Sequence, residues 1–153
     1  MAELWFYHLE GARAESVLPD LLLKTLQKGW RAVVRAPDAD AAARIDAALW
    51  TASDESFIPH GRAGPDDDVA KRQPIWITTG EDAPNGADFL IVADGAPLTA
   101  QRAGEFRRTA YLFDAGDEPV RDAARALWKS AADAGLDTAY WTRGAGGGWS
   151  KRG

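Results

Sequence analysis

The chain contains no cysteine in 153 residues, which excludes disulfides, thiolate metal sites and thiol catalysis. Histidine is nearly absent as well, with only His8 and His60, so a histidine-rich zinc site has too few ligands to form. Neither histidine lies near a nucleophile turn of the G-x-S-x-G kind. His8, inside an aromatic run, reads as a packed and hydrogen-bonded residue, and His60, between Pro59 and Gly61, reads as part of a turn. No stretch approaches the ~20 apolar residues of a membrane span. The first residues, MAELWFYHLEG, lack the basic start and apolar run of a signal peptide, so a soluble, cytoplasmic protein is expected. An excess of positive charge is missing too. The formal net charge is −5, which argues against a dedicated duplex-DNA binder but leaves room for a local basic patch.

What is present is an ordinary globular mixture, 46% hydrophobic and 27% charged, of a length that suits one domain with a real core. Tryptophan is the exception. There are 7, more than one domain of this size is expected to bury, and partner contacts would account for the surplus.

Apolar strand-like runs alternate with helical periodicity along the chain. LWFYHL (4–9), RAVVR (31–35), PIWITT (74–79), DFLIVA (88–93), RTAYLF (108–113) and DTAYW (137–141) read as strands. Helices are expected over 13–28, closed by Gly29, from the N-cap Asp38 to about Trp50, and, as a short helix, over 98–105. Residues 51–73 read as irregular, and their Asp66-Asp67-Asp68 run as a solvated loop rather than a cation site. This order predicts an α/β fold of the Rossmann-like, three-layer kind with a largely parallel central sheet. The domain is expected to span 1–143, with 144–153 as a glycine-rich, mobile tail.

The chemistry that such sheets often carry is missing. No G-x-G-x-x-G turn follows the first strand, no G-x-x-x-x-G-K-[ST] loop occurs, and the Gly144–Gly148 run has no helix behind it. No nucleotide site, cofactor or metal is therefore expected, and no catalytic residue stands out. The alternative is a small nucleotide-binding protein or enzyme with a site at strand ends near Thr79, Gly80 and Asp94.

The most informative segment is DEPVRDAARALWKSAADAG (117–135). Asp117 caps a helix, Glu118 and Pro119 suit its first turn, and Gly135 closes it. Val120, Ala124, Leu127 and Ala131 make an apolar face. Arg121, Arg125 and Lys129, with Trp128 at the border, fall within roughly a 100° arc. A solvated face would pair Asp122 with Arg125 and Asp133 with Lys129. The clustering of cations beside an indole instead suits an acidic ligand with an apolar end. Arg125 is placed to take a chain-terminal carboxylate in a bidentate hydrogen bond, with an aromatic side chain against Trp128.

FYHL (6–9), RAVVRAPD (31–38), RIDAALWTASDESFIPHG (44–61) and ARALWKSAADAG (124–135), in this order, resemble the chi subunit family of bacterial DNA polymerase III. The resemblance implies a non-catalytic accessory subunit of the clamp-loader assembly. It implies two protein partners, the psi subunit and the acidic, phenylalanine-terminated tail of single-stranded-DNA-binding protein, with DNA contacted only indirectly. By the same resemblance the tail site comprises Arg125, Trp128, Lys129 and Arg121, with Trp50 nearby. Trp128 stands where the family typically has tyrosine, which keeps a flat wall and loses a hydroxyl. Phe57, Ile58 and Pro59 are candidates for the psi surface.

Overall fold

The computed structural model describes residues 2–9, 17–51, 61–62, 74–80, 86–93, 96, 98–143 and 149–152. They form a sheet flanked by helices. In chain order the elements are β1 (Glu3–Leu9), α1 (Leu18–Gln27), β2 (Ala32–Arg35), α2 (Ala39–Thr51), β3 (Gly61–Arg62), β4 (Ile75–Thr78), β5 (Phe89–Val92), α3 (Ala100–Ala103), β6 (Arg108–Asp114), α4 (Glu118–Asp133), β7 (Asp137–Arg143) and β8 (Trp149–Arg152). The strand order is β3-β4-β2-β5-β6-β1-β7-β8. All neighbouring pairs are parallel except β7 with β8. The expected Rossmann-like, largely parallel architecture is the one observed.

Strand side chains alternate between the two faces of the sheet. Tyr7, Leu9, Val34, Ile75, Ile77, Ile91 and Leu112 pack on one face with Leu18 and Leu22 of α1 and Ala41, Ile45 and Leu49 of α2. Leu4, Phe6, Val33, Trp76, Leu90, Tyr111 and Phe113 pack on the other with Ala103 of α3 and Ala124, Leu127 and Ala131 of α4. Both faces are thus covered, which is why the central strands read as unbroken apolar runs.

Helix ends follow the sequence signals. The Ala41 N–H donates to Asp38 Oδ1 at 2.8 Å and the Val120 N–H to Asp117 Oδ1 at 3.4 Å. Gly29 and Gly135 adopt φ of 77° and 78°. After α1, the Gly29 N–H donates to the Leu26 carbonyl and that of Trp30 to Thr25. After α4, Gly135 donates to Ala132 and Leu136 to Ala131. Both are the paired bonds that a left-handed residue makes possible at a helix end.

Two short strands depart from the sequence reading. Gly61–Arg62, expected to be irregular, pairs parallel with β4. Trp149–Arg152, expected to be part of a mobile tail, pairs antiparallel with β7, with Arg143 opposite Trp149 and Tyr140 opposite Arg152. A two-residue strand has no periodicity to detect. The second sits among glycines and charged residues, a composition that also suits a protected sheet edge.

Ile91 is fully buried at the centre of the sheet. Ile91→Ala is expected to cost about 2–5 kcal/mol in urea unfolding, without loss of secondary structure at low urea. Burial also pushes the Tyr7 hydroxyl up to about 12 from 10.0, against the opposing pull of Arg108. The fold favours the neutral phenol, so this contribution is complete below about pH 10 and is lost as pH rises towards 12. Tyr7→Phe should flatten the alkaline arm of the stability profile between those values.

Candidate functional site

α4 seats on the sheet through small side chains. Ala124, Leu127 and Ala131 are its buried residues. Trp128 lies half-buried at their border, 5.1 Å from Phe6 and 6.0 Å from Tyr140 between ring centroids. Both contacts are inclined, the usual preference of aromatic pairs. Phe6 in turn meets Phe113 edge-on at 6.5 Å, and Phe113 meets Tyr140 at 6.1 Å. The three sheet residues come from the neighbouring strands β1, β6 and β7.

A cleft of about 400 Å³ opens between this aromatic floor and the N-terminal half of α4. It is lined by Phe6, His8, Phe113, Arg121, Ala124, Arg125, Trp128 and Tyr140. His8 and Phe113 stand next to the carboxyl ends of their strands, the end at which α/β sheets generally bind ligands. His8 Nδ1 and the Tyr140 hydroxyl share a hydrogen bond of 2.5 Å on the cleft wall. Beside Phe6, burial raises the pKa of the Tyr111 hydroxyl, a sign of how little water reaches the sheet beneath.

The cations on α4 differ in their surroundings. Arg125 and Lys129 are exposed, and Arg121 is half-buried. Neither Asp122–Arg125 nor Asp133–Lys129 closes as an ion pair among the described residues. One Nη1–H of Arg121 reaches the Ala115 carbonyl at 3.5 Å, while its Nε–H is withdrawn from solvent and meets no acceptor. A donor left in that state costs about 1–3 kcal/mol.

The structure therefore brings Arg121, Arg125 and Trp128 to one cleft, with Lys129 exposed on the same helix and outside its lining. Trp50 is a residue of a different helix. It belongs to α2, whose Ile45 and Leu49 pack on the opposite face of the sheet, towards β3 and β4. The Trp50 side chain lies outside the described residues. Phe57, Ile58, Pro59, His60 and the Asp66–Asp68 run lie outside the described residues.

Phe6, His8, Phe113 and Tyr140 were not expected at the site. The strand alternation puts Phe6 and His8 on one face, but only the topology shows that α4 covers it. Among the described side chains, Trp5, Trp30, Trp76 and Trp141 have surroundings within the chain. Trp76 is buried, and Trp5 lies 3.8 Å from the Arg108 guanidinium and 5.5 Å from Trp141. Trp30 has Lys28, Arg107 and Arg108 within 5.2, 5.0 and 5.1 Å. Trp5 and Trp30 thus serve internal cation–π contacts. At the alternative location, Thr79 and Gly80 are exposed. The turn is tied down by Arg35 Nε–H donating to the Gly80 carbonyl at 3.0 Å and the Gly80 N–H donating to Thr78 Oγ1 at 3.1 Å. Asp94 is outside the described residues.

Fold and cleft together define a Rossmann-like α/β domain with a cationic, aromatic-floored groove beneath α4. The chain belongs to the family of the DNA polymerase III chi subunit, HolC, whose model matches residues 1–139. It is also similar to a Rickettsia prowazekii (strain Madrid E) protein named probable DNA polymerase III subunit chi, with 28% identity over 92 residues. That match covers 60% of this chain and 54% of the relative, so the chain spans about half the length of the curated relative it matches.

Trp128 holds the cleft open from one side while covering Phe6. Trp128→Ala is expected to lower stability by about 2 kcal/mol, less than a fully buried tryptophan would cost, as read by urea unfolding.

Proposed function

We propose that this protein is a non-catalytic accessory subunit of the bacterial replicative polymerase. In this reading it works in the cytoplasm and links single-stranded-DNA-binding protein to the clamp loader. The acidic, phenylalanine-terminated tail of the single-strand binder occupies the α4 cleft. Psi occupies a separate surface that includes Phe57, Ile58 and Pro59. Contact with DNA is indirect.

The observation that carries the tail reading is the meeting of two guanidinium groups with an aromatic floor in one cleft. Carboxylates of the tail face Arg125 at the rim, with Lys129 extending the positive field along the helix. The terminal ring rests on Trp128 at the apolar side of the cleft. Each component suits such a peptide: charge for the acids, flat apolar surface for the ring, and a short groove instead of a long channel. The membership of the chi family supports the placement in replication.

The test is calorimetric titration of a peptide copying the tail of the host's single-strand-binding protein. Arg125→Ala is expected to weaken binding at least about tenfold, roughly 1.4 kcal/mol, with an unchanged circular dichroism spectrum. Wild-type affinity should fall between about 50 and 300 mM salt, because the rim charges are exposed and screened. Undiminished binding by Arg125→Ala would sink the tail assignment.

A further inference from the structure

We infer that the face of the sheet opposite the α4 cleft carries a short track for single-stranded nucleic acid, a row of indoles and cations formed by Trp141, Trp5, Arg108 and Trp30 with Lys28 and Arg107. The inference does not rest on the tail reading. It goes beyond that reading by adding one direct contact with DNA to the indirect one.

The row follows from side-chain alternation and strand order. Trp5, Trp30 and Trp141 pack against the α1 and α2 side of the sheet, whereas Phe6, Trp128 and Tyr140 of the cleft pack against the other. Trp141 of β7 lies 5.5 Å from Trp5 of β1 between ring centroids. The Arg108 guanidinium, at the start of β6, stands 3.8 Å from the Trp5 ring and 5.1 Å from that of Trp30, just before β2. Lys28, at the end of α1, and Arg107 approach the same Trp30 ring at 5.2 and 5.0 Å. In the strand order β2-β5-β6-β1-β7 the row crosses four interstrand spacings, about 19 Å.

The row reaches solvent. All three indoles are half-buried, and Lys28 and Arg107 are exposed. Arg108 is paired, its Nε–H donating to Glu3 Oε2 at 2.9 Å. Lys28 and Arg107 close no ion pair among the described residues. Three cations gathered at one ring repel one another, so this spot favours an anionic ligand.

The alternation of ring and charge selects among anions. Surfaces that hold single strands combine cations that track the backbone with aromatic rings on which bases stack, and every base offers a π-face. A guanidinium lying on an indole extends that platform with a plane of its own. A single strand brings one flat base with each phosphate, which matches the row. An acidic peptide uses the cations but brings no ring with each charge. A duplex keeps its bases stacked inside. The span suits about four nucleotides, the low end of the site sizes of single-strand-binding folds. A net charge of −5 disfavours any longer contact.

The test is fluorescence anisotropy of a labelled thymidine homopolymer of about 20 nucleotides, long enough to cover the track. Wild type is expected to bind it at least about tenfold tighter than a duplex or polyglutamate of matched charge. Trp30→Ala should weaken binding about fivefold or more, and Trp30→Phe, which keeps a ring, should restore part of it. Lys28→Gln combined with Arg107→Gln should lower the slope of log affinity against log salt by about 1.4, the contribution of two phosphate contacts on a single strand. A saturating acidic, phenylalanine-terminated peptide should not displace the oligonucleotide. No binding by wild type, or equal binding of duplex or polyglutamate, would overturn the track and leave the tail reading standing. Displacement by the peptide would also overturn it, by placing the oligonucleotide in the α4 cleft. Should Trp30→Ala not fold, an unchanged salt slope in the Lys28 and Arg107 double variant, both of whose sites are exposed, would overturn it alone.

Discussion

The close approach of α4 to the sheet shapes everything around it. A parallel sheet with both faces apolar has to be covered on both, and α4 covers its share through Ala124, Leu127 and Ala131. Alanine brings a helix near a sheet but fills little of the space beside it. Below Ala124 lie the rings of Phe6 and Phe113, which are large and cannot rise to meet a missing side chain without leaving their own packing. The volume left over is the cleft. Trp128 limits it on one side by reaching down to Phe6 and Tyr140. The groove is thus a consequence of mixing small residues on the helix with large ones on the strands.

The same seating fixes what the cations experience. Residues that follow Ala124 by one position, or precede it by three, stand at the margin between buried face and solvent. Arg125 falls on the wet side of that margin. Arg121 falls partly on the dry side, its Nε–H removed from water. One turn of helix therefore separates a screened charge from a poorly solvated one. Identical side chains with different desolvation are expected to differ in how strongly they select an anion, because the less solvated one gains more from pairing.

Helix boundaries were the most legible part of the sequence. Asp38, Asp117, Gly29 and Gly135 each occupy the position their chemistry suggests, since capping is a local property. The long apolar strands were legible for a related reason: two-sided burial leaves continuous runs such as Phe89–Val92. Gly61–Arg62 and Trp149–Arg152 were not, because their pairing is fixed by neighbours in space and not by their own pattern. At the site, the helical half was readable from spacing on a single element. The floor was not. Phe6, Phe113 and Tyr140 are distant in sequence, and they converge only because β1 inserts between β6 and β7.

Net charge and local charge act over different ranges here, and that difference decides what the cleft can bind. The chain is acidic overall, at −5. At physiological ionic strength a field decays over about 8 Å. A long polyanion lying across the surface would meet the acidic residues as well as α4, and its many charges would sum the repulsion. A short acidic peptide entering the groove samples only Arg121, Arg125 and the neighbouring Lys129 at close range. Its apolar end gains from the aromatic floor, which a phosphate backbone cannot use. On the proposed reading, the arrangement discriminates by size as well as by sign, favouring a short acidic peptide over an extended polyanion.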